Sequence, residues 1–379
     1  MRKSTFGVWS HLSIRRQLLT SDSITVDYRV GIGALQQINR MVRSVMGKMR
    51  RALILYDPDI SDDSLASVCE ELRDLGIEPV SIKLSEGERI PTVAEASSVF
   101  ESLAKAKINV DDAIIGYGDA DLCSIVSFCA ALWCGGTQAL LIPTTLDAMV
   151  TAATSMRALD TAHAREMVFL QPSPALVLSD LAYVVGAPAE SVRAGYVALL
   201  RSAIFGSRLS WERFGQQIRP ILNRDEIAIA DELISAQSSR LAVAKASNPS
   251  ARHARSYGLT CARALRRCLG GDVADYALLA EGMRFEARLA HEVTQFDIDD
   301  VFAQDDYLEE LGVAELRIDF DEAMFLEALT ETSAAHSNRF LFALPRNPGT
   351  IRLTAVDTDV LERHVRAFLK SRSSGSVKG

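Results

Sequence analysis

The chain has 379 residues, of which 48% are hydrophobic and 24% charged, with 41 basic against 49 acidic side chains. This composition is typical of a globular protein with a sizeable core, and the length favours two domains. The formal net charge of −8 argues against nucleic acid or an anionic membrane as the main partner. The longest apolar runs fall far short of the roughly 20 residues that a membrane helix needs, so we expect a soluble protein.

The chain begins with a predicted β-hairpin, because Phe6–Ile14 and Ile24–Val30 alternate between apolar and polar residues. Residues 1–20 carry basic but no acidic side chains, and the apolar run of a secretory signal does not follow. The six cysteines include no CxxC pair, and we interpret them as reduced core thiols of a cytoplasmic protein.

The first half of the chain alternates short apolar strands with helices, which predicts a parallel sheet covered by helices. The predicted strands are Ala52–Tyr56, Pro79–Lys83, Ala113–Ile115, Ala139–Ile142 and Leu176–Leu178, and the predicted helices are Asp62–Leu75, Val93–Lys107 and Asp121–Trp133.

The second half is mostly helical in pattern. The predicted helices are Ser191–Phe205, Asp225–Lys245, Ala254–Leu269, Ala274–Val293 and Val360–Leu369, and one more strand is Phe340–Leu344. We therefore predict a Rossmann-like parallel α/β domain of the NAD-binding type over residues 1–185 and a mainly α-helical domain over residues 186–370. A ligand cleft is expected between the two domains. The Ser/Gly-rich tail, residues 371–379, is predicted to be disordered.

A glycine turn is the strongest local candidate for a binding site. Gly116 and Gly118 end a strand and Asp121 begins a helix, an arrangement that lets a phosphate approach free backbone N–H groups. Asp57 follows the first strand of the sheet, where an acid often binds ribose hydroxyls. The alternatives are a tight turn without a ligand at the glycines and a helix cap or turn residue at Asp57.

Thr144 and Thr145 follow another strand and would place two hydroxyls in the same crevice, or would simply cap a helix. The six histidines show no metal-binding spacing, and no nucleophile signature of the G-x-S-x-G or Cys/His type occurs. Arg252 and Arg263, with the neighbouring Arg255, Arg266 and Arg267, form either a solvated helix face or an anion site that faces the cleft.

These stretches together resemble the sugar-phosphate cyclases, the family of 3-dehydroquinate synthase and of cyclitol synthases such as 2-epi-5-epi-valiolone synthase. The resemblance runs in order from about Ser23 to Leu369. The segment Leu141-Ile142-Pro143-Thr144-Thr145-Leu146 is its most specific match. Gly87-Glu88, Gly116 through Leu122 and Ala130 through Thr137 also match in register.

The resemblance implies the dehydroquinate-synthase-like fold, a homodimer, NAD in the N-terminal domain and a divalent metal, usually zinc, that holds the substrate hydroxyls. The residues that it assigns to NAD are Asp57, Glu88, Gly116, Gly118, Asp121, Thr144 and Thr145. Ile115 and Tyr117 stand in place of the family's first and third glycines and add bulk where the pyrophosphate should pass. NAD therefore remains a candidate cofactor.

The chain departs from the family at the metal ligands. Ala198 stands at the ligand glutamate, Leu259 at a ligand histidine and, in a looser match, Ala280 at the third ligand. Because methyl and isobutyl groups have no lone pair to give a metal, zinc is not expected. Arg263 replaces a second histidine, and Arg157 and Arg201 replace lysines, which keeps positive charge but removes proton transfer.

Three functions follow from this comparison. The first is a pseudoenzyme that has lost cyclisation and acts as a binding or partner subunit in cyclitol or specialised metabolism, alone or with a related cyclase. The second is a remodelled enzyme that clamps a phosphorylated sugar or a cyclic acid with its arginines. The arginines proposed for this clamp are Arg157, Arg201, Arg252 and Arg263. The third is an active 3-dehydroquinate-synthase-like lyase that uses NAD.

Overall fold

The structure is a computed structural model, and it describes residues 25–84, 91–246, 253–271 and 273–373. Its first half is built on a six-stranded, all-parallel sheet with the strand order β1-β6-β5-β4-β2-β3. The strands are β1 Asp27–Gly31, β2 Arg51–Tyr56, β3 Glu78–Lys83, β4 Ala113–Gly118, β5 Gln138–Pro143 and β6 Leu176–Asp180.

Helices cover both faces of this sheet, which explains why its central strands are continuously apolar. The helices of the first half are α1 Ile38–Val45, α2 Asp62–Asp74, α3 Val93–Lys105, α4 Ala120–Leu132, α5 Leu146–Thr151 and α6 Ala182–Val185. α1 and α2 pack on one face of the sheet, and α3 and α4 pack on the other. All six residues of β4 are buried between these two layers.

The second half of the chain is helical apart from one antiparallel hairpin. Its helices are α7 Arg193–Gly206, α8 Arg208–Leu222, α9 Glu226–Lys245, α10 Leu259–Leu269, α11 Asp275–Thr294, α12 Ile298–Glu310, α13 Glu322–Ala334 and α14 Thr358–Arg372. The hairpin strands are β7 Phe342–Asn347 and β8 Thr350–Thr354. A third apolar cluster fills this half and extends to α5, so the helical half packs against the sheet half.

The fold class predicted from the sequence is confirmed, since a parallel sheet with surrounding helices is followed by helices. The predicted opening hairpin is only half described: its first arm lies outside the described residues, and its second arm forms β1, which pairs in parallel with β6. The predicted disorder from Ser371 is wrong for Ser371 and Arg372, because α14 continues through both residues and Arg372 is buried. Ser373 is the C-cap of α14, and residues 374–379 lie outside the described residues.

Three helices were missed by the sequence analysis in the second half, namely α8, α12 and α13, and so was β8. In the part of the chain that the structure describes, no helix is long and apolar enough to span a membrane.

Candidate functional site

The sheet changes direction between β2 and β4. From β2 the chain moves outward to β3, whereas from β4 it moves the other way to β5 and β6. In open parallel sheets, ligands bind in the crevice at the carboxyl ends of the two strands that flank such a point. Asp57 follows β2, and Gly118 ends β4, so the structure brings these two predicted residues to the same crevice.

The carboxylate of Asp57 occupies the glycine turn. Its Oδ2 accepts a hydrogen bond from the backbone N–H of Asp119 at 2.5 Å. A Cβ atom added to Gly118 would lie 2.0 Å from that same oxygen. The absence of a side chain at Gly118 therefore makes room for the carboxylate of Asp57.

Both ends of this turn are already occupied by acidic groups. Asp119 caps α4, since its Oδ1 accepts the N–H of Leu122 at 2.8 Å. A phosphate that approached the N-terminus of α4 would thus meet the carboxylates of Asp57 and Asp119, and both are bound to N–H groups that a phosphate would use.

Gly116 has a packing role. A Cβ atom there would lie 3.0 Å from the side chain of Val126 and 3.1 Å from that of Leu122, so the glycine allows α4 to lie close to β4. Ile115 and Tyr117 point to the opposite face of the sheet and belong to the core beneath α1 and α2. The bulk that the sequence analysis expected at these two positions therefore lies mostly within the core.

The Tyr117 hydroxyl makes a short hydrogen bond with the hydroxyl of Tyr183, which follows β6. Because β5 lies between β4 and β6, this pair crosses the carboxyl end of β5. Burial is the main cause that raises the pKa of Tyr117. The pair links β4 to the segment that follows β6.

Thr144 and Thr145 serve local structure. Thr145 is the N-cap of α5, and its hydroxyl accepts the N–H of Ala148 at 3.4 Å. The N–H of Thr144 donates to the carbonyl of Gly118 at 2.9 Å. The helix-cap alternative is therefore the one that the structure displays at Thr145.

Arg157 joins two carboxylates at the edge of the crevice. Its Nη1 lies 3.0 Å from Oδ1 of Asp121, and its Nη2 lies 3.2 Å from Oδ2 of Asp147. Burial raises the pKa of Asp121 to about 7, although the charge of Arg157 opposes this effect. Asp121 is consequently a carboxyl group that can exchange a proton near neutral pH.

The connecting segment, residues 152–175, runs from α5 to β6 and contacts the helical half. Arg263 of α10 pairs with Glu166 of this segment, with Nε 2.6 Å from Oε2. The guanidinium of Arg255 lies 4.2 Å from the centre of the Phe169 ring. Arg263, predicted to bind an anion, is thus already neutralised by a carboxylate.

A pair of buried arginines lies behind this segment. Arg201 of α7 and Arg240 of α9 are 7% and 9% exposed. Arg240 donates to the hydroxyls of Ser202 and Ser155 at 3.0 and 2.7 Å, and Ser155 belongs to the connecting segment. Arg201 donates to the carbonyl of Tyr257 at 2.9 Å. We call Arg201 and Arg240 the arginine pair.

The arginine pair is not neutralised by an ion pair. Among the described residues, neither guanidinium has a carboxylate within 4.0 Å, and Arg201 Nη2 and Arg240 Nε have no hydrogen-bond partner. Burial and the nearby charge of Arg240 lower the pKa of Arg201 to about 9. Burial and Arg255 lower the pKa of Arg240 to about 10.

Glu286 is a buried acid whose charge acts on the pKa of Arg201. It is fully buried and accepts the backbone N–H groups of Gly258 at 2.7 Å and Cys261 at 3.1 Å, at the start of α10. Burial raises its pKa to about 8, against the effect of these N–H groups and of Arg201. Its oxygens are therefore committed to the N-terminus of α10.

The positions that the resemblance assigned to metal ligands are spread over three helices. Ala198 on α7 and Leu259 at the start of α10 are half-buried, whereas Ala280 on α11 is fully buried in the core. The third position is thus less accessible to a ligand than the other two. Asp275, at the start of the same helix, is exposed. Its charge is one of those that raise the pKa of Arg157, after the charges of Asp121 and Asp147.

In the described ranges, no group of three or more His, Cys, Asp or Glu side chains is arranged to hold a metal ion. Glu88 and Arg252, two further predicted site residues, lie outside the described residues.

Sequence reasoning missed four residues of this site: Arg240, Asp147, Asp275 and Glu286. Arg240 carried no signal, because a single arginine on a long helix is usually exposed. Glu286 also lies within a helix, and only the packing of α10 against α11 shows its role.

Comparisons with known proteins agree with this fold. Residues 81–194 match the family model of the 3-dehydroquinate synthase N-terminal domain. A 3-dehydroquinate synthase from Thermobifida fusca is 27% identical over 294 residues, which cover 74% of this chain and 76% of the relative.

Two solved structures are similar over almost their whole length. A 2-deoxy-scyllo-inosose synthase complexed with carbaglucose-6-phosphate, NAD+ and Co2+ has a TM-score of 0.76 at 16% identity, covering 90% of this chain and 96% of that one. The 2-epi-5-epi-valiolone synthase from Streptomyces hygroscopicus, with NAD+ and Zn2+ bound, has a TM-score of 0.77 at 16% identity, covering 94% and 99%.

A parallel sheet with a crevice where the strand order reverses is typical of nucleotide-binding α/β folds. In this chain a helical domain follows that sheet. Together with the family model and the relatives, this arrangement makes the chain similar to the sugar-phosphate cyclases, in sequence to 3-dehydroquinate synthases and in fold to two related synthases.

Proposed function

We propose that this chain binds an anionic ligand of the sugar-phosphate or cyclic-acid type on the cyclase fold and does not carry out metal-dependent cyclisation. The arginine pair is the observation that carries the proposal. A buried charge is costly unless it is paired, and here two buried guanidinium groups keep unused N–H donors. A phosphate or a carboxylate would supply the missing negative charge and accept those N–H groups.

The donor set does not fit a divalent metal. Ala198 and Leu259 have no lone pair, and the buried carboxylate of Glu286 is held by backbone N–H groups. The positive charges of Arg201 and Arg240 would also repel a divalent cation in the same region. We therefore assign no step to a metal.

The crevice fits only part of NAD. The carboxylates of Asp57 and Asp121 are suited to ribose hydroxyls, but Asp57 closes the turn that a pyrophosphate would use. Hydride transfer is the chemistry that NAD would supply, and we route no step through it. The proposal is that NAD binds only after Asp57 has left the N–H of Asp119, and so binds weakly.

As biological setting we propose a cytoplasmic protein of specialised metabolism, in keeping with six unpaired cysteines. A partner role, with a related cyclase or with a second copy, is part of the same proposal. Support for the branch of cyclitol synthases comes from the structural likeness to two such enzymes.

Titration of the purified chain with inorganic phosphate and with a phosphorylated heptulose tests the ligand. We expect saturable binding and a rise in melting temperature. Arg240→Gln should weaken binding by about 10- to 100-fold, the usual worth of charged hydrogen bonds. The same variant should stabilise the ligand-free protein, because it removes an uncompensated buried charge. A purely structural arginine would lose stability instead.

The matched control is Arg219→Gln, whose side chain is 88% exposed and pairs with Glu310. This variant should bind as the parent does. No binding of any phosphate or carboxylate would overturn the proposal. So would robust phosphate release when the chain is incubated with zinc or cobalt, NAD and a heptulose phosphate.

A remodelled enzyme is the second candidate, favoured by Asp121. A carboxyl group with a pKa of about 7 next to a positive charge is suited to general acid–base catalysis. If this candidate holds, a phosphorylated sugar is converted by the parent chain, and Asp121→Asn still binds it but no longer converts it. Equal rates in the two proteins would reject it.

A further inference from the structure

The connecting segment contains one tight loop, residues 159–168, which is closed by its own backbone. The N–H of Leu159 donates to the carbonyl of Val168 at 2.8 Å, and the N–H of Val168 donates back at 3.2 Å. Inside the loop, the N–H of Thr161 donates to the carbonyl of Ala164 at 2.8 Å. We call residues 159–168 the closed loop. Because these bonds set its shape, the side chains that it carries are presented in defined directions.

Glu166 stands in the closed loop in a backbone conformation that few side chains adopt. Its φ is +54°, in the left-handed region, which costs free energy for a residue other than glycine. Its N–H donates to Oδ1 of Asp160 at 2.7 Å, and the N–H of Asp160 donates to the carbonyl of Pro91 at 2.8 Å. Such a conformation persists only where its surroundings hold it, so several contacts combine to place the carboxylate of Glu166.

This carboxylate accepts two donors from one arginine of the helical half. Nε and Nη2 of Arg263 lie 2.6 and 2.5 Å from Oε2 of Glu166. The partners are 97 residues apart in the chain, so the pair joins the closed loop to α10. The side chains of Glu166 and Arg263 are 43% and 26% exposed, which leaves the pair within reach of solutes.

Arg263 lies within electrostatic range of the arginine pair. After burial and the charge of Arg240, the charge of Arg263 is a further cause that lowers the pKa of Arg201. Arg240 in turn reaches the connecting segment, since it donates to the hydroxyl of Ser155 at 2.7 Å. An anion held by the arginine pair would therefore be attracted by Arg263 as well, and it would be repelled by Glu166.

We propose that Glu166 is an internal substitute for the ligand's acidic group: it occupies Arg263 in the ligand-free protein, and an incoming phosphate displaces it. The inference rests on the proposed function, because the phosphate is the anionic ligand proposed there. A phosphate monoester brings about 1.5 to 2 negative charges and three acceptor oxygens, which suits it to replace one carboxylate on a guanidinium group. Glu166 thus sets the affinity that a ligand must exceed to be retained.

Calorimetric titration with inorganic phosphate at fixed ionic strength tests the competition. Glu166→Gln keeps the size of the side chain and removes its charge, so it should bind phosphate about fivefold more tightly than the parent, the worth of a partly exposed ion pair. Glu331→Gln is the matched control, because Glu331 pairs with Arg267 of the same helix and is 44% exposed. This control should bind phosphate as the parent does.

A double-mutant cycle separates displacement from a general loss of negative charge. If Glu166 acts through Arg263, then Glu166→Gln should raise the phosphate affinity of the parent but change it by less than about twofold when Arg263→Gln is already present. A carboxylate that acts only at long range would give the same gain in both backgrounds. That result would overturn the inference.

Amide hydrogen exchange of the closed loop reports the displacement directly. A ligand that merely contacts the loop would slow exchange there, whereas phosphate should speed it in the parent, because the loop loses its tie to α10. Glu166→Gln should show the faster exchange without phosphate. If the parent and Glu166→Gln bind phosphate equally, the inference fails and the proposed function stands. If neither binds phosphate, both fail.

Discussion

Asp121 is a buried carboxyl group at the edge of the crevice, and it forms an ion pair with one arginine, Arg157. It is 8% exposed, and Arg157 is shared with Asp147. Loss of water disfavours the charged form more than the shared arginine favours it, which is why its pKa rises. The position is costly for stability at neutral pH, and such positions are common in functional sites.

This cost has a defined pH dependence. In the unfolded chain Asp121 ionises near its ordinary pKa of 3.8, and in the folded chain near 7. Between these values the folded state binds more protons, so stability falls as the pH rises, by up to about 1.4 kcal/mol per pH unit. Urea denaturation at a series of pH values should show this decline in the parent and a flatter profile in Asp121→Asn. Parallel profiles would contradict the assignment.

Single residues of the site were predictable only as alternatives. The sequence singled out Gly118 and Thr145, but it could not say whether the glycine admits a phosphate or serves a turn without a ligand. Both uses favour a glycine, and only the structure shows that the carboxylate of Asp57, which follows β2, lies where a Cβ atom would be. The burial of Arg240 could not be predicted from the sequence, because it depends on which other elements pack against α9.

At the scale of elements, α10 and α11 approach each other closely at two glycines. A Cβ atom on Gly282 would lie 2.0 Å from the carbonyl oxygen of Gly258 and 3.0 Å from the nitrogen of Ala262. Both atoms belong to the backbone and cannot turn aside. The contact sets the position of the α10 N-terminus, which Glu286 caps.

Gly282→Ala should therefore force the two helices apart and destabilise the fold by about 3 kcal/mol, the upper part of the range for overpacking. Gly271→Ala is the matched control, because this glycine lies between the same helices and has open space at its Cβ. Chemical denaturation of both variants provides the measurement. If Gly282→Ala is as stable as the parent, the helices do not meet as described.

Element prediction succeeded where one periodicity ran without interruption and failed where another signal covered it. The buried strands and α9 were found, because their apolar patterns are long or continuous. In α8, Pro220 lies inside the helix near its end and hides the pattern. In α12 a run of acids obscures the few buried positions, among them Val301 and Leu308.

At the scale of the whole molecule, the end of the chain is tied to its centre. Arg372, on the last turn of α14, donates to Glu281 of α11, and both side chains are almost completely buried. Arg284 and the N–H of Leu316 complete the partners of Glu281. Composition alone predicted a disordered tail from Ser371, because it cannot register a partner 91 residues away.

Arg372→Met should cost about 3–5 kcal/mol, since it leaves the carboxylate of Glu281 buried with one arginine only. The matched control is Arg366→Met on the same helix, whose side chain is 65% exposed and pairs with Glu322. That change should cost less than about 1 kcal/mol. Thermal and urea unfolding of the two variants gives the comparison, and equal losses would refute a special role for Arg372.

The turn at Gly118 has a consequence for how such chains are catalogued. Two glycines between a strand and a helix are commonly counted as a dinucleotide fingerprint. Here the protein's own packing requires glycine at position 118. The carboxylate of Asp57, which follows the adjacent strand, occupies the space that a side chain would take. A protein that no longer binds a nucleotide would still need this glycine for packing. The glycine motif alone is therefore not evidence that a cofactor is bound.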